Sequence, residues 1–461
     1  MSARGIAGNV LAGKDSAVET VRRTLTAIEE TQRLRAVTGI CEDRALKRAA
    51  EVDDAIAAGD VPGPLAGVPF AAKNIFDIEG LVTRAGSRAT EANPPATQDA
   101  FAIRALEAAG AILVASTNMD ELAYGFSGEN VHDGDTRNPR DPLLSAGGSS
   151  SGSAALVAAG VVPLALGTDT NGSVRVPAAL SGVVGFKPTY GRLSRSGVRP
   201  FVRSLDHVGV FAAETRDLAL AYDALQGRDA SDPAQQPREL EPAAPAIDTP
   251  GSLNAARLGG YFDAPLHTDV RAAVGAAADA LGALEAKMLD LAEAARAASF
   301  ILTTAEGGHH HLPTLIRCPE RLGSLVRERL RAGALVPAVW TARAQKLRRR
   351  VSSELLDLQR DQDILIAPAT PCPAFPLGTD HWDVAGVSLP IRLGIGMFTQ
   401  ALTLTGAPIA VMCRRGSGSG LPVGIQIIGR PFEEASVLRA ARRLERTGFR
   451  MVPERPRGTH A

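Results

Sequence analysis

Residues 147–160 read GGSSSGSAALVAAG, and nine residues on the chain reads DTNGSVRVPA over 169–178. Glycine permits positive φ and close backbone approach, and free N–H groups at a helix start attract anions, so a phosphate loop is the first reading to test. It fails on its own terms. A Walker loop needs GxxxxGK[ST], and no lysine follows these glycines; nor does GxGxxG occur between a strand and a helix. What remains in excess is hydroxyl: Ser149, Ser150, Ser151 and Ser153, then Thr168, Thr170 and Ser173. A serine nucleophile needs a base, because its hydroxyl is barely ionised at neutral pH. Histidine is the usual base, but four of the eight (His309, His310, His311 and His381) lie far down the chain. Lysine can serve if burial lowers its pKa, since desolvation disfavours the ammonium. Lys73 lies in GVPFAAKNIF (67–76), an apolar run bounded by Gly and Pro that reads as a buried strand. Each signal alone has a plainer reading: strand lysines often snorkel or pair with an acid, and serine runs often cap helices.

Outward from this stretch the pattern is α/β. Val18, Val21, Leu25 and Ile28 share one helical face after the capping candidate Ser16, and a second helix is expected over 43–58. TQDAFAIRALEAAG and AILVAST give a further helix and strand, the alternation of a sheet covered by helices. Residues 226–250 are rich in Pro, Ala and Asp without periodicity and read as a surface excursion. Helical stretches follow at 269–283, 289–298 and 339–359, then strands at ILIAPA and GIQIIG and a last helix near 433–446. These late strands have no sheet of their own, so they are expected to rejoin the first. The expectation is one domain over 1–461: a catalytic core at about 62–226, an excursion at about 226–255, a helical insertion at about 265–360, and returning strands at about 361–450.

Composition narrows the function. The 461 residues carry 50 Lys+Arg against 50 Asp+Glu and are 45% hydrophobic, the profile of a large globular protein. Balanced charge argues against partners captured by a strong field, nucleic acid or a membrane surface, and favours a small substrate. Cys41, Cys318, Cys372 and Cys413 are far apart and form no metal-ligand spacing, which fits reduced thiols in a cytoplasmic protein. The first residues lack a basic stretch before an apolar run, and no segment nears about 18 uninterrupted apolar residues.

Taken in this order and spacing, the motifs match something specific. GGSSSGSAALVAAG followed by GTDTNGSVRVPAALSGVVGFKPTYGRLSRSG resembles the signature of the amidase signature family, and GVPFAAKNIFDIEG resembles its lysine motif. The resemblance runs from the first helix to FEEASVLRAARRLE near the end of the chain. It implies an α/β/α fold with a large mixed sheet covered by helices on both faces. It also implies a Ser, cis-Ser, Lys triad: Ser173 the nucleophile, Ser149 the bridging serine after a cis peptide bond, and Lys73 the base. The backbone N–H groups of Thr170, Asn171, Gly172 and Ser173 would stabilise the oxyanion, with Gly172 leaving room for the substrate. Asp169 and Arg175 would hold the turns. Ser151, where many members have Gly, is expected to be a helix-start hydroxyl. No metal or organic cofactor is implied.

Within the family, NMDELAYGFSGEN, TRNP, RSLDHVG and GLPVGIQIIGRPFEEA resemble two branches, the glutaminase subunit of tRNA-dependent amidotransferases and carboxybiuret hydrolase. The glutaminases hold the substrate ammonium with an Asp, and Gly396 stands there in GMFTQALTLTGAP. An ammonium without an anionic partner would be poorly compensated. Arg329 in VRERLRAG falls where the glutaminases bind the substrate carboxylate, and a guanidinium fits a carboxylate in bidentate geometry. AEGGHHHLPTLI and LRAGALVPAVW resemble the carboxybiuret hydrolase branch. His309–His311 read as a substrate contact or a helix-end cluster, without the ligand set of a zinc site. The expected reaction is therefore release of ammonia from a small carboxylated urea-like amide, 1-carboxybiuret of cyanuric acid catabolism, with the glutaminase subunit of a tRNA-dependent amidotransferase or another small-amide amidase as the alternatives. The resemblance further implies a small helical partner protein in a hetero-oligomer.

Overall fold

The structure, a computed structural model, describes residues 2–454. Its frame is one mixed sheet of eleven strands. In chain order these are β1 (Val37–Ile40), β2 (Pro69–Lys73), β3 (Ile112–Thr117), β4 (Leu164–Asp169), β5 (Val184–Lys187), β6 (His207–Ala212), β7 (Ala255–Leu258), β8 (Ala286–Lys287), β9 (Ile364–Pro368), β10 (Ile409–Arg415) and β11 (Pro422–Gly429). Their spatial order is β1-β3-β2-β4-β6-β5-β10-β11-β9-β7-β8. The block β3-β2-β4 is parallel, whereas the pairs β4-β6, β6-β5, β5-β10, β10-β11 and β11-β9 are antiparallel. ILIAPA and GIQIIG thus hydrogen-bond into the same sheet as the lysine strand.

Every residue of β2, β3, β4, β5 and β6 is buried, so these strands are covered on both faces and read as continuous apolar runs rather than alternating ones. The helices that matter below are α1 (Ser151–Ala158), α2 (Arg175–Ser181), α3 (Ala292–His310), α4 (Leu312–Arg317), α5 (Ser324–Ala334), α6 (Ala338–Leu358) and α7 (Met397–Thr403). All eight residues of α1 are buried, which is why its sequence shows no amphipathic stripe. The first long helix, Ala17–Glu30, starts where the hydroxyl of Ser16 accepts the Glu19 N–H.

Two elements depart from the sequence reading. The lysine strand stops at Lys73, because the Lys73 carbonyl accepts both the Ile75 and Phe76 N–H groups in a tight turn. Helix α3 runs to His310, twelve residues past the expected end, through Gly307 and Gly308. Those glycines are not breakers here. A Cβ on Gly308 would lie 2.5 Å from the Ala334 nitrogen, and one on Gly333 would lie 2.0 Å from the Thr304 carbonyl oxygen, so α3 and α5 cross backbone to backbone.

Candidate active site

Strands β2 and β4 are parallel neighbours, with Ala72 opposite Leu166, so Lys73 ends its strand just short of Thr168 and Asp169, the last residues of β4. Crevices beyond the carboxyl ends of such strands are where open α/β sheets place their ligands. The Lys73 Nζ lies 2.8 Å from Ser149 Oγ and 2.8 Å from Thr168 Oγ1, and its side chain is wholly buried. Burial pushes its ammonium down to about 7, against the pull of the Asp120, Asp206 and Asp169 carboxylates. In the sequence Thr168 is only one hydroxyl among many; strand pairing is what brings it to the amine.

Ser149 follows a cis peptide bond from Gly148. The turn is tied on both sides, with Gly148 N–H donating to the Phe126 carbonyl at 2.7 Å and Asp120 N–H to the Ser149 carbonyl at 3.3 Å. Gly148 has no room for a side chain, since a Cβ would sit 2.0 Å from Asp120 Oδ1. Asp120, which no sequence signal singles out although it lies in NMDELAYGFSGEN, accepts the Ser127 and Gly128 N–H groups, and burial pushes its carboxyl up to about 7. The neighbouring serines hold the scaffold. Ser150 exchanges hydrogen bonds with the Thr168 backbone, Ser151 pairs with Thr136 at 2.9 Å, and Ser153 pairs with Thr117 and donates to the Leu166 carbonyl.

Ser173 is seated beside this turn through its carbonyl, which accepts the Ser150 N–H at 3.2 Å. Its own turn is organised by Asp169, whose carboxylate accepts the N–H groups of Gly172 (2.8 Å) and Val174 (3.2 Å) and the Nε and Nη2 of Arg175, both at 2.9 Å. Asp169 and Arg175 are fully buried, and the guanidinium opposite holds the Asp169 carboxyl far below the usual range. Arg175 then reaches the Thr399 carbonyl, Thr403 Oγ1 and Gln426 Oε1, tying the turn to α7 and β11.

The geometry adds detail to the expectations for this turn. The Gly172 N–H, expected among the oxyanion donors, is already directed at Asp169 Oδ1. Among the described residues, the N–H groups of Asn171 and Ser173 donate to no protein acceptor. Gly172, with φ +137°, is required by its packing on Thr399: a Cβ there would lie 2.2 Å from Thr399 Oγ1. The Thr170 hydroxyl donates to Asp206 at 2.6 Å. The Asn171 side chain is clasped by α3, donating to Thr303 Oγ1 (2.7 Å) and accepting from Ser299 Oγ (2.5 Å).

On the Asp120 side opens a cavity of about 600 Å³ whose lining includes Asp120, Tyr124, Phe126, Glu129, Arg329 and Arg392. Arg329 stacks 3.8 Å above the Tyr124 ring centroid and spends one donor on the Tyr124 carbonyl. Among the described residues it has no ion pair, whereas Glu129 and Asp380 both face Arg392, at 3.3 and 3.6 Å. Gly396 caps α7 beneath Phe126, and a Cβ there would lie 2.8 Å from the ring. The three histidines are dissimilar: His309 is exposed, His310 half-buried and His311 buried, with burial pushing His311 down to about 3. Among the described residues, no group of three or more His, Cys, Asp or Glu side chains is placed to hold a metal ion, and no helix is long and apolar enough to cross a membrane.

Comparison with known proteins adds an independent line. The family model for amidases matches residues 19–438. The chain is 45% identical over 443 residues to AtzE, the 1-carboxybiuret hydrolase component of Pseudomonas sp. (strain ADP), covering 95% of this chain and 97% of that one. It is 38% identical over 474 residues to a glutamyl-tRNA(Gln) amidotransferase chain of Aromatoleum aromaticum, covering 94% of each. A solved structure described as a vestigial protein complex that reveals the evolutionary origins of an s-triazine catabolic enzyme superposes with a TM-score of 0.95 at 44% identity, covering 99% of this chain and 100% of that one.

Proposed function

From the premise that this chain belongs to the amidase family and is an amidohydrolase of linear amide C–N bonds using a Ser, cis-Ser, Lys triad, we propose that it hydrolyses 1-carboxybiuret to urea-1,3-dicarboxylate and ammonia. The observation that carries this reading is Arg329, a cation in the cavity beside the triad turn that lacks an ion pair among the described residues. A planar guanidinium stacked on a tyrosine, with most of its fork uncommitted, suits a carboxylate. Gly396 packs against Phe126 and brings no carboxylate to pair with an ammonium. A substrate with a carboxylate and no ammonium fits both features, and glutamine fits only one.

In this reading Ser173 attacks the terminal amide carbonyl. Its proton passes to Ser149 as the proton of Ser149 passes to neutral Lys73, 2.8 Å away. The N–H groups of Asn171 and Ser173 receive the developing oxyanion, with Thr170 beside them, while Gly172 serves by fixing Asp169. Collapse breaks the C–N bond, and the relay returns the proton so that ammonia departs, leaving a Ser173 ester. Water, deprotonated by the same relay, attacks the ester carbonyl, and the proton ends on Ser173. The resemblance to the carboxybiuret hydrolase branch, supported by the complex described for the s-triazine relative, leads us to assign this chain a small helical partner protein. Ammonia release from 1-carboxybiuret, biuret, allophanate, glutamine and aliphatic amides tests the reading. Carboxybiuret should have the highest kcat/KM, and a preference for glutamine would overturn it.

A further inference from the structure

A large cavity lies away from the triad. About 1060 Å³ in volume, it is bounded by the last turn of α3 and by α4, α5 and the start of α6, with Phe201, Leu312, Ile316 and Val336 on its walls. Its rim groups exposed large apolar side chains: Leu335 is 81% exposed, Ile316 73% and Trp340 51%. The same region is strongly cationic. Residues 312–350 hold ten Lys+Arg against two Glu, in a chain that is neutral as a whole. On α6, Val339, Arg343, Lys346 and Arg350 follow one another at helical spacing, all exposed, and among the described residues the three cations have no acidic partner.

We propose that this groove is the docking site for an amphipathic helix of a partner protein, its apolar stripe in the groove and an acidic face along α6. This rests on the partner reading above and adds the surface and its chemistry. Charge complementarity chooses the occupant: an acidic helix pairs with Arg343, Lys346 and Arg350, which have no acidic partner among the described residues, as its leucines cover Ile316 and Leu335. The groove also touches the site machinery. Its floor helix α3 carries Ser299 and Thr303, which clasp Asn171, and Thr304, which meets the Tyr124 hydroxyl at 3.3 Å. Phe201 in its wall packs on Tyr124 at 4.7 Å, so a seated helix braces the ring beneath Arg329.

The test is to titrate the purified full chain with a synthetic 18-residue helix bearing a leucine stripe and a glutamate face, followed by tryptophan emission, with Trp340 at the rim as reporter. Saturable binding is expected, weakened about tenfold or more by Ile316→Glu and by the Arg343→Glu/Lys346→Glu pair, and weakened similarly when lysine replaces glutamate in the peptide. Circular dichroism verifies that these surface variants are folded. Equal binding of acidic and basic peptides, or indifference to Ile316→Glu, overturns the proposal. So does self-association in the ultracentrifuge that Ile316→Glu abolishes, or tRNA binding that Arg343→Glu abolishes while the peptide does not bind. Ammonia release from 1-carboxybiuret, measured without peptide, reports separately on the proposed reaction: its absence would overturn the substrate while leaving the docking result standing.

Discussion

Lysine accepts a proton only while neutral, so the relay is set by how far burial depresses Lys73. With its ammonium brought down to about 7, the fraction able to act falls about tenfold for each pH unit below that point and saturates above it. The rate of ammonia release should therefore rise through pH 7 and level off on the alkaline side, and a flat profile from pH 5 to 9 with chemistry rate-limiting would contradict a lysine base. Asp120 sharpens the test. Its charge favours the Lys73 cation, so Asp120→Asn should move the midpoint to lower pH, whatever it does to the plateau. Thr168→Val removes an acceptor from the amine and should slow turnover about ten- to hundredfold with KM little changed. Ser173→Ala should cost at least about 10³-fold in ammonia release with the circular dichroism spectrum unchanged, and retained activity would refute the nucleophile.

At the scale of elements, what can be read in advance is what lies within one short segment. GGSSSGSA and DTNGSVR carry their turns, their hydroxyls and the Asp169 to Arg175 spacing in a handful of residues each, and the lysine strand is marked by its apolar run. Thr168, Asp120 and Phe126 act only because parallel pairing or a distant loop brings them to Lys73, Gly148 and Gly396, and no periodicity encodes such meetings. Glycines mislead for a related reason. Gly307, Gly308 and Gly333 look like punctuation in one dimension, yet Gly308 and Gly333 are contact points between α3 and α5, and Gly307 lies against Phe201. Gly333→Leu should force the helices apart and destabilise the protein by about 2 kcal/mol, read as an earlier urea midpoint. Because α3 also clasps Asn171, kcat should fall in the same variant; loss of stability with kcat intact would mean that the crossing and the nucleophile turn are uncoupled.

For the whole molecule, one question is what joins a nucleophile turn at residues 169–175 to strands more than two hundred residues later. One guanidinium makes most of the join, beside the Thr399 hydroxyl that donates to the Asn171 carbonyl. Arg175 is fully buried, pairs with Asp169 through two nitrogens and extends to α7 at Thr399 and Thr403 and to β11 at Gln426. A buried ion pair is a poor source of net stability, because desolvation offsets most of the attraction, but removing one member strands the other. Arg175→Met should therefore cost about 3–5 kcal/mol by denaturant unfolding and leave Asp169 as an unpaired buried carboxylate. In the native protein the Asp169 pKa is depressed below its ordinary 3.8, so its contribution is complete above that pH and is lost as pH falls through the depressed value. In Arg175→Met the depression disappears, burial drives the carboxyl upward, and protonation of Asp169 becomes favourable to folding. The deficit of the variant should then shrink as pH is lowered from 7 towards 4, whereas a deficit constant across that range would mean that Arg175 acts through packing rather than charge.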